Sequence, residues 1–160
     1  MIHVLFICHG NICRSPMAEF VFNDMARKLG LAGKIRADSA AVSTEEIGNP
    51  VHPGTRKKLR ELGISCEGKT ARQMTASDYG RYDLLVGMDR QNLRGIHRIA
   101  GKDPAGKVRL LLDFAPPGTG DASGEVADPW YTGDFDSTLR DVLAGCRGIL
   151  RHFFPKEAVQ

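Results

Sequence analysis

Two residues with reactive side chains, Cys8 and Arg14, stand near the start of the chain with five residues between them. A loop of this length can curl so that successive backbone N–H groups point inward at one tetrahedral anion. The sulfur of Cys8 then lies on the axis of the anion, and the guanidinium of Arg14 can bind two of its oxygens. Because the same positive field favours the thiolate over the thiol, we expect Cys8 to be a nucleophile at neutral pH.

The sequence on either side of this pair predicts a strand before it and a helix after it. Residues 2–7 (IHVLFI) are apolar and rich in β-branched side chains, which is typical of a buried parallel strand. From Pro16 onward apolar residues recur every four positions, which indicates an amphipathic helix. Ser15 stands at the expected N-cap and Pro16 at the expected first helical position. The loop therefore leads into a helix N-terminus, where the helix dipole favours an anion.

The residues inside the loop are further candidates for binding the anion, because their amides would line the cradle: His9, Gly10, Asn11, Ile12 and Cys13. Gly10 permits close approach of the backbone, and Asn11 tolerates the left-handed conformation that a tight cradle requires. The commonest fate of a lone cysteine is to be a small buried apolar residue. The spacing of Cys8 and Arg14 between a strand and a helix argues against that fate here.

A second group with the right chemistry is Asp128, in a long Gly/Pro-rich segment at residues 113–133. If the anion in the loop is a phosphoryl group, its transfer to the thiolate would leave an oxyanion that needs a proton, and release of the group from sulfur would need a base; one carboxylic acid can serve both steps. Pro129 stiffens the backbone beside it, and Trp130 and Tyr131 can shield the acid from water or stack on an aryl ring. By residue type alone, an Asp-Pro pair is usually a turn former and an aromatic residue usually packs in the core.

The segment CHGNICRSPMAE at residues 8–19 resembles the N-terminal signature of the low-molecular-weight protein tyrosine phosphatases, whose usual form is V-C-L-G-N-I-C-R-S-P. The resemblance continues through DSAA at 38–41, IGNP at 47–50, ARQ at 71–73, MD at 88–89 and DPWY at 128–131. It implies a cofactor-free and metal-independent phosphomonoester hydrolase, in which Cys8 attacks phosphorus, Arg14 holds the phosphate and Asp128 is the general acid. The implied substrate is a protein carrying phosphotyrosine or phosphoarginine, or a small aryl phosphate, and the product is inorganic phosphate.

The resemblance implies roles for other polar residues as well. Three match positions that brace the family's loop: Asn11, Ser39 and Ser43. Ser15 is expected to hydrogen-bond the Cys8 thiolate, although the N-cap role is equally well motivated. Cys13 is implied to form a reversible disulfide with Cys8 on oxidation. Asp89 and Arg72 also match family positions, but we expect a helix cap and a surface ion pair from them.

Two departures from the family pattern concern the rim of the pocket. His9 replaces the usual apolar residue just after the nucleophile, and Glu45 stands where the family usually has Trp or Tyr. Neither change affects the expected reaction. We expect Glu45 to remove one wall of an aryl-binding slot and to repel acidic peptides.

Length and composition predict one globular domain over residues 1–160, with 42% hydrophobic and 26% charged residues. A net charge of +3 suits an anionic substrate, but no Lys/Arg-rich run indicates nucleic acid. The chain lacks a membrane-length apolar stretch and a signal peptide, so we expect a cytoplasmic protein with no membrane partner. Four cysteines without Cys-x-x-Cys spacing argue against a zinc site and against a disulfide scaffold, and no metal is predicted.

The alternation of patterns along the chain predicts an α/β fold: a doubly wound parallel sheet of four or five strands, with helices on both faces and the phosphate loop after strand 1. Further strands are predicted at 35–40, 68–72, 83–88 and 108–112. Helices are predicted at 55–62, after a capping-box-like sequence at 75–78, from 89 to about 99, and through 139–153. Ligands should bind at the carboxyl ends of the strands.

Two rival functions fit parts of the same pattern. A thiol-dependent arsenate reductase shares the fold and the loop, but it needs further cysteines to relay oxidation, and Cys66 and Cys146 are isolated in the sequence. It also has no use for the DPWY segment. A catalytically silent phosphate-binding module should have lost Cys8 or Asp128, and both are present. The absence of a G-x-x-x-x-G-K-[ST] sequence excludes nucleotide binding by that route.

Overall fold

The structure is a computed structural model that describes residues 1–158. Its four-stranded sheet has the central strand β1 (Ile2–Cys8), which pairs on one side with β2 (Ile35–Ala41) and on the other with β3 (Leu84–Gly87). β3 pairs in turn with the edge strand β4 (Val108–Leu110). All pairings are parallel, in the order β2-β1-β3-β4. The carboxyl ends of the strands therefore lie at one edge, and the predicted doubly wound sheet is confirmed with four strands.

Six helices and a short 3₁₀ turn connect and cover the strands within the described residues: α1 (Arg14–Lys28), α2 (Pro53–Glu61), α3 (Asp78–Arg81), α4 (Arg90–Ala100), the turn Leu111–Phe114, α5 (Pro129–Thr132) and α6 (Phe135–Phe153). Alternate side chains of β1 point to opposite faces of the sheet. Val4 and Phe6 pack with α1 and α6, whereas Leu5 and Ile7 pack with Ile96 of α4. Helices thus cover both faces. None of these helices is long and apolar enough to cross a membrane.

The predicted strand at 68–72 is not formed. An isolated bridge joins Thr70 of this segment to Pro50, and another joins Gln73, just after the segment, to Ala41. Gly68 has a φ of 84°, which interrupts the extended backbone that a strand would need. The predicted strand at 108–112 ends at Leu110, because the chain there turns into the 3₁₀ helix.

The helices also differ from their predicted bounds in ways that have local causes. α2 begins at Pro53, since the side chain of His52 caps it by accepting a hydrogen bond from the Gly54 N–H. The predicted capping box at 75–78 is only half formed, and α3 begins at Asp78. The carboxylate of Asp78 accepts a hydrogen bond from the Thr75 N–H, but the Thr75 hydroxyl pairs with the Ser77 hydroxyl.

Two glycines of α6 let the helix pack closely against the 3₁₀ turn. A Cβ at Gly148 would overlap the carbonyl oxygen of Phe114, and a Cβ at Gly145 would overlap the side chain of Leu111. The segment that follows the turn returns to the sheet, where the Val126 N–H donates to the Met88 carbonyl over 3.1 Å. This packing brings residues 126–128 to the carboxyl edge of the strands.

Candidate active site

The loop between β1 and α1 lies at the carboxyl edge of the sheet, with Cys8 as the last residue of β1. α1 begins at Arg14, and its N-cap is Cys13, which makes no side-chain capping bond. The expectation that Ser15 is the N-cap is therefore wrong. Ser15 lies in the first turn of the helix, and its hydroxyl is engaged with groups of the loop instead.

Three hydrogen-bond donors surround the sulfur of Cys8. The Ser15 hydroxyl lies 3.0 Å from it, and the backbone N–H groups of Asn11 and Ser15 donate to it over 3.3 and 3.4 Å. Cys8 is almost fully buried, so these donors are not replaced by bulk water. Hydrogen bonds of this kind are stronger to a charged acceptor, so the three donors are placed to stabilise negative charge on the sulfur.

Asn11 holds the loop in its curled shape. Its φ of 61° is the left-handed conformation expected from the residue type. Its side-chain Nδ2 donates to Ser15 Oγ over 2.8 Å and to Ser39 Oγ over 2.9 Å, and its Oδ1 accepts from the Arg72 N–H over 3.2 Å. Since Asn11 supplies both N–H groups to the two serines, the hydroxyl hydrogen of Ser15 is free to point at the Cys8 sulfur.

A partly buried ion pair continues this chain of hydrogen bonds. Ser39 Oγ donates to Glu19 Oε1 over 2.5 Å, and Lys69 Nζ lies 2.9 Å from the same oxygen. Lys69 Nζ also donates to the Ser39 carbonyl. The sequence analysis did not single out Glu19 or Lys69. The apolar repeat gave no signal for Glu19, because Glu19 lies two positions from both Met17 and Val21 and so points to a different side of α1.

Arg14 is the largest fully buried side chain and is held in place by acceptors from distant segments. One terminal nitrogen donates to Asp89 Oδ2 over 2.7 Å and to the Val126 carbonyl over 2.9 Å, and the other donates to Asp128 Oδ2 over 3.4 Å. Burial acts to lower the pKa of Arg14, but the charges of Cys8, Asp128 and Asp89 outweigh it and raise that pKa. Its guanidinium therefore remains a fixed positive charge at the floor of the site.

The Nε atom of Arg14 is buried and has no hydrogen-bond partner among the described residues. An unpaired buried donor costs about 1–3 kcal/mol, and such a group usually marks the place of a missing partner. An oxyanion held by the loop can supply that partner.

Asp89 and Arg72 differ from their expected roles. Asp89 caps α4 as predicted, since its Oδ1 accepts from the Asn92 N–H over 2.8 Å, but its other oxygen binds Arg14. The ion pair was missed because the two residues are 75 positions apart in the sequence. Arg72 pairs with Asp78, which is 1% exposed, and so the expected surface ion pair is in fact half-buried.

Asp128 lies at the start of α5, where it is both a helix cap and a neighbour of Arg14. Its Oδ1 accepts from the Trp130 N–H over 3.0 Å, while its Oδ2 faces the guanidinium. The long Gly/Pro-rich segment at residues 113–133 thus contains a short helix. Trp130 and Tyr131 are 58% and 84% exposed, so neither packs in the core as aromatic residues commonly do, and both are free to contact a ligand.

These groups meet in a pocket of about 100 Å³ at the carboxyl end of β1. Its lining contains ten of the twelve predicted site residues and adds Glu46: Cys8, His9, Gly10, Ile12, Cys13, Arg14, Glu45, Asp128, Trp130 and Tyr131. The other two, Asn11 and Ser15, lie behind the loop. Within residues 1–158, no group of three or more His, Cys, Asp or Glu side chains is arranged to hold a metal ion.

The rear of the loop is anchored to the N-terminal end of α2. The carbonyl of Ile12 accepts from the His52 N–H and that of Cys13 from the Thr55 hydroxyl, each over 2.9 Å. Burial and then the charge of Cys8 raise the pKa of the Cys13 thiol to about 12, with smaller contributions from Asp128 and Glu46. Cys13 is therefore a neutral thiol beside the nucleophile.

The rim of the pocket is formed by the segment after β2. His9 Nε2 lies 3.0 Å from Glu45 Oε2, and both side chains are more than half exposed. The Ser43 hydroxyl donates to the His9 carbonyl over 2.8 Å. Glu46 packs over Gly10, where a Cβ would lie 3.2 Å from Glu46 Cγ.

Comparisons with known proteins bear on this geometry. A family model described as "Low molecular weight phosphotyrosine protein phosphatase" matches residues 3–159. The low molecular weight protein-tyrosine-phosphatase YfkJ of Bacillus subtilis is 43% identical over 94% of this chain and 94% of its own. The human low molecular weight phosphotyrosine protein phosphatase is 35% identical over 92% of both chains.

Solved structures give the same result. The crystal structure of YfkJ superposes with a TM-score of 0.90 at 42% identity, covering 98% of this chain and 96% of that one. That of a Drosophila arginine phosphatase superposes with a TM-score of 0.82 at 27% identity, covering 94% of this chain and 97% of that one.

Proposed function

This chain belongs to the low molecular weight phosphotyrosine protein phosphatase family, and we propose on that basis that it hydrolyses phosphotyrosine in proteins through a phosphocysteine intermediate. The observation that carries the proposal is the meeting of Cys8, Arg14 and Asp128 in one pocket. A thiolate, a fixed guanidinium and a carboxylic acid are the groups that this reaction requires.

In the first step, the Cys8 thiolate attacks phosphorus, a sulfur–phosphorus bond forms, and the bond between phosphorus and the tyrosyl oxygen breaks. The loop amides and Arg14, including its unpaired Nε, bind the non-bridging oxygens of the phosphoryl group. Asp128 in its protonated form gives its proton to the departing phenolate. We assign the walls of the pocket at Trp130 and Tyr131 to the aromatic ring of the substrate.

In the second step, Asp128 takes a proton from water and the resulting hydroxide attacks phosphorus. The sulfur–phosphorus bond breaks, which returns Cys8 to the thiolate and releases inorganic phosphate. The three donors around the Cys8 sulfur stabilise it as a leaving group. Asp128 ends the cycle protonated and ready for the next substrate.

The nearest rival remains thiol-dependent arsenate reduction, which needs a cysteine relay. Cys146 is fully buried in the core, where burial raises its pKa, and its sulfur lies near the Ala18 carbonyl. Cys66 lines a separate cavity near α2. Neither is among the residues of the active-site pocket, and this distribution favours hydrolysis over a relay.

The decisive experiment compares three reactions of the purified protein: hydrolysis of a phosphotyrosine peptide, hydrolysis of a phosphoarginine peptide, and reduction of arsenate with a thiol donor. We expect the phosphotyrosine peptide to be hydrolysed fastest and arsenate not to be reduced. Preferred hydrolysis of phosphoarginine would change the assigned substrate but not the mechanism. Reduction of arsenate without peptide hydrolysis would overturn the proposal.

The nucleophile is tested by Cys8→Ser, which should abolish turnover and leave the fold intact, because a serine hydroxyl stays protonated where a thiol ionises. Circular dichroism and thermal unfolding provide the check on folding. Cys66→Ser is a suitable control, since it changes a buried thiol outside the pocket. Near-normal hydrolysis by Cys8→Ser would show that another group attacks phosphorus.

We also propose a cytoplasmic location and a reversible Cys8–Cys13 disulfide. All four cysteines are free thiols, as is usual in reducing compartments. Cys8 and Cys13 line the same pocket, so a sulfenic acid on Cys8 has a thiol within its own loop to react with.

A further inference from the structure

The rim of the active-site pocket is negatively charged, although the chain as a whole has a positive net charge. The chain as a whole has a net charge of +3. Yet three carboxylates line the pocket, on Glu45, Glu46 and Asp128, and within residues 1–158 its one permanently charged cation is Arg14. The excess of negative charge is therefore a local property of the opening of the pocket, which we call the mouth.

Arg14 does not neutralise the outer part of the mouth. Its side chain is 2% exposed and is committed to Asp89 and Asp128 at the floor. The same guanidinium, with the loop amides, must also balance the bound phosphate. The carboxylates of Glu45 and Glu46 thus lie outside the part of the site that this cation serves.

The partners of the two rim glutamates leave their charge largely available. Glu46 Oε2 accepts a hydrogen bond from Asn49 Nδ2 over 2.6 Å, which is a neutral partner. Glu45 contacts His9, which cancels its charge only when the imidazole is protonated. Both contacts hold the carboxylates at the mouth, because His9 belongs to the phosphate loop and Asn49 to the same rim segment as Glu46.

The two sides of the mouth therefore differ in chemistry. Trp130 and Tyr131 form an exposed aromatic wall on the side of Asp128. Glu45 and Glu46 form a polar, negatively charged wall that belongs to the segment after β2. A phosphorylated tyrosine that enters the pocket places its own ring near the first wall and its neighbouring residues near the rim.

Given the proposed function, on which this inference rests, we propose that the Glu45–Glu46 wall selects phosphotyrosine sites flanked by lysine or arginine. A basic neighbour pairs with the wall, whereas an acidic neighbour adds a like charge to it. The charge of the neighbouring residue and that of the wall are then a few ångströms apart near the protein surface. Relative to a neutral neighbour, one basic or one acidic residue changes kcat/KM by about threefold, and exchanging a basic for an acidic neighbour changes it by about tenfold.

The test uses three phosphotyrosine peptides that differ only in the one residue that follows the phosphotyrosine: lysine, alanine or glutamate. We expect kcat/KM to fall in that order, with about a tenfold ratio between the lysine and glutamate peptides at low salt. The ratio should shrink in 0.5 M salt, roughly as Debye screening predicts. In E45Q/E46Q, which keeps the shape of the rim, the ratio should fall close to one.

Glu67→Gln is the matched control, because it removes one exposed carboxylate that lies outside the pocket, and its ratio should equal that of the wild type. A wild-type ratio near one, or a ratio that persists in E45Q/E46Q, would overturn the inference. Failure to hydrolyse even the alanine peptide would instead count against the proposed function. The three peptides would then be ranked as inhibitors of p-nitrophenyl phosphate hydrolysis, where the same order is expected and its absence again rejects the inference.

Discussion

Asp128 is held at both of its oxygens, one by a helix N–H and the other by Arg14. In the proposed mechanism, a bound phosphate competes for the guanidinium and so releases the second oxygen of Asp128 for the proton that the leaving group needs. The cap of α5 meanwhile holds the carboxyl group in the pocket. An Asp-Pro pair that is a turn former by residue type can therefore also hold the proposed acid.

The expected cost of losing that acid is large but depends on the substrate. Asp128→Ala should lower kcat by roughly two to four powers of ten for phenyl phosphate, which is the usual contribution of general acid–base catalysis. The loss should be smaller for p-nitrophenyl phosphate, because its leaving group hardly needs a proton. Steady-state rates on both esters measure this, with Asp136→Ala, an exposed carboxylate paired with Lys58, as control. Equal losses on the two esters would place the acid elsewhere.

The second prediction at this scale concerns Cys13. Peroxide converts the Cys8 thiolate to a sulfenic acid, and attack by the Cys13 sulfur then forms the disulfide and releases water. The pKa of Cys13, about 12, reflects burial first and the charge of Cys8 second. Conversion of Cys8 to a neutral sulfenic acid removes the second of these causes, which makes Cys13 easier to ionise at the moment when it is needed.

Peroxide should therefore inactivate the enzyme through a Cys8–Cys13 bridge, and a thiol reductant should restore activity. Cys13→Ser should recover poorly after the same treatment, because the sulfenic acid proceeds to irreversible states. Mass mapping of the oxidised protein identifies the bridge. A bond from Cys8 to Cys66 or Cys146, or full recovery of Cys13→Ser, contradicts this prediction.

At the scale of elements, the unit of β1, loop and α1 could be predicted because its signals are local. An apolar β-branched run, a glycine-containing loop and a helical repeat all lie within one short segment. The false strand at 68–72 shows the limit of such signals, since a positive φ at Gly68 is visible only in the fold. The pairing of Arg14 with Asp89, and of Glu19 with Lys69, depends on chain crossings that sequence periodicity does not encode.

The contact between α6 and the 3₁₀ turn yields a prediction about stability. Gly148→Ala places a methyl group against the Phe114 carbonyl, and backbone must shift to accept it. We expect a loss of about 1–3 kcal/mol in the free energy of unfolding, which is typical of overpacking. Gly80→Ala in α3 is the control, because a Cβ there meets nothing within 4 Å and alanine favours helix. Urea unfolding measures both, and equal stabilities would show that the helix and turn are not closely packed.

At the scale of the whole molecule, stability should depend on acidic pH through a few carboxylates. Hydrogen bonds from Ser137 lower the pKa of Asp134. Burial acts to raise the pKa of Asp103, but the hydrogen bond from the Tyr79 hydroxyl, with others from the backbone, lowers it overall. A group with a lowered folded-state pKa stabilises the fold above its unfolded pKa and loses that contribution as the pH falls through the folded value.

The melting temperature should accordingly change little from pH 7 to 5 and fall below about pH 4, where unfolded aspartates begin to bind protons. Asp134→Asn preserves the cap of α6 but removes the titration, so its melting temperature should fall less steeply with acid. Calorimetry between pH 3 and 7 compares the two proteins. An equally steep fall in the variant would assign the acid sensitivity to other groups.

Asn11 connects four separate parts of the chain: its own loop, α1 at Ser15, β2 at Ser39 and the segment at Arg72. A change at any one of these positions leaves the others with unsatisfied groups, so the effects of substitutions here are epistatic rather than additive. Descendants of this sequence can change more easily at the rim, where the exposed side chains of Glu45 and His9 pair with each other. Behind the loop, a tolerated change requires several substitutions together. Substitutions that alter substrate specificity are therefore expected to accumulate earlier in evolution than substitutions that alter the catalytic loop.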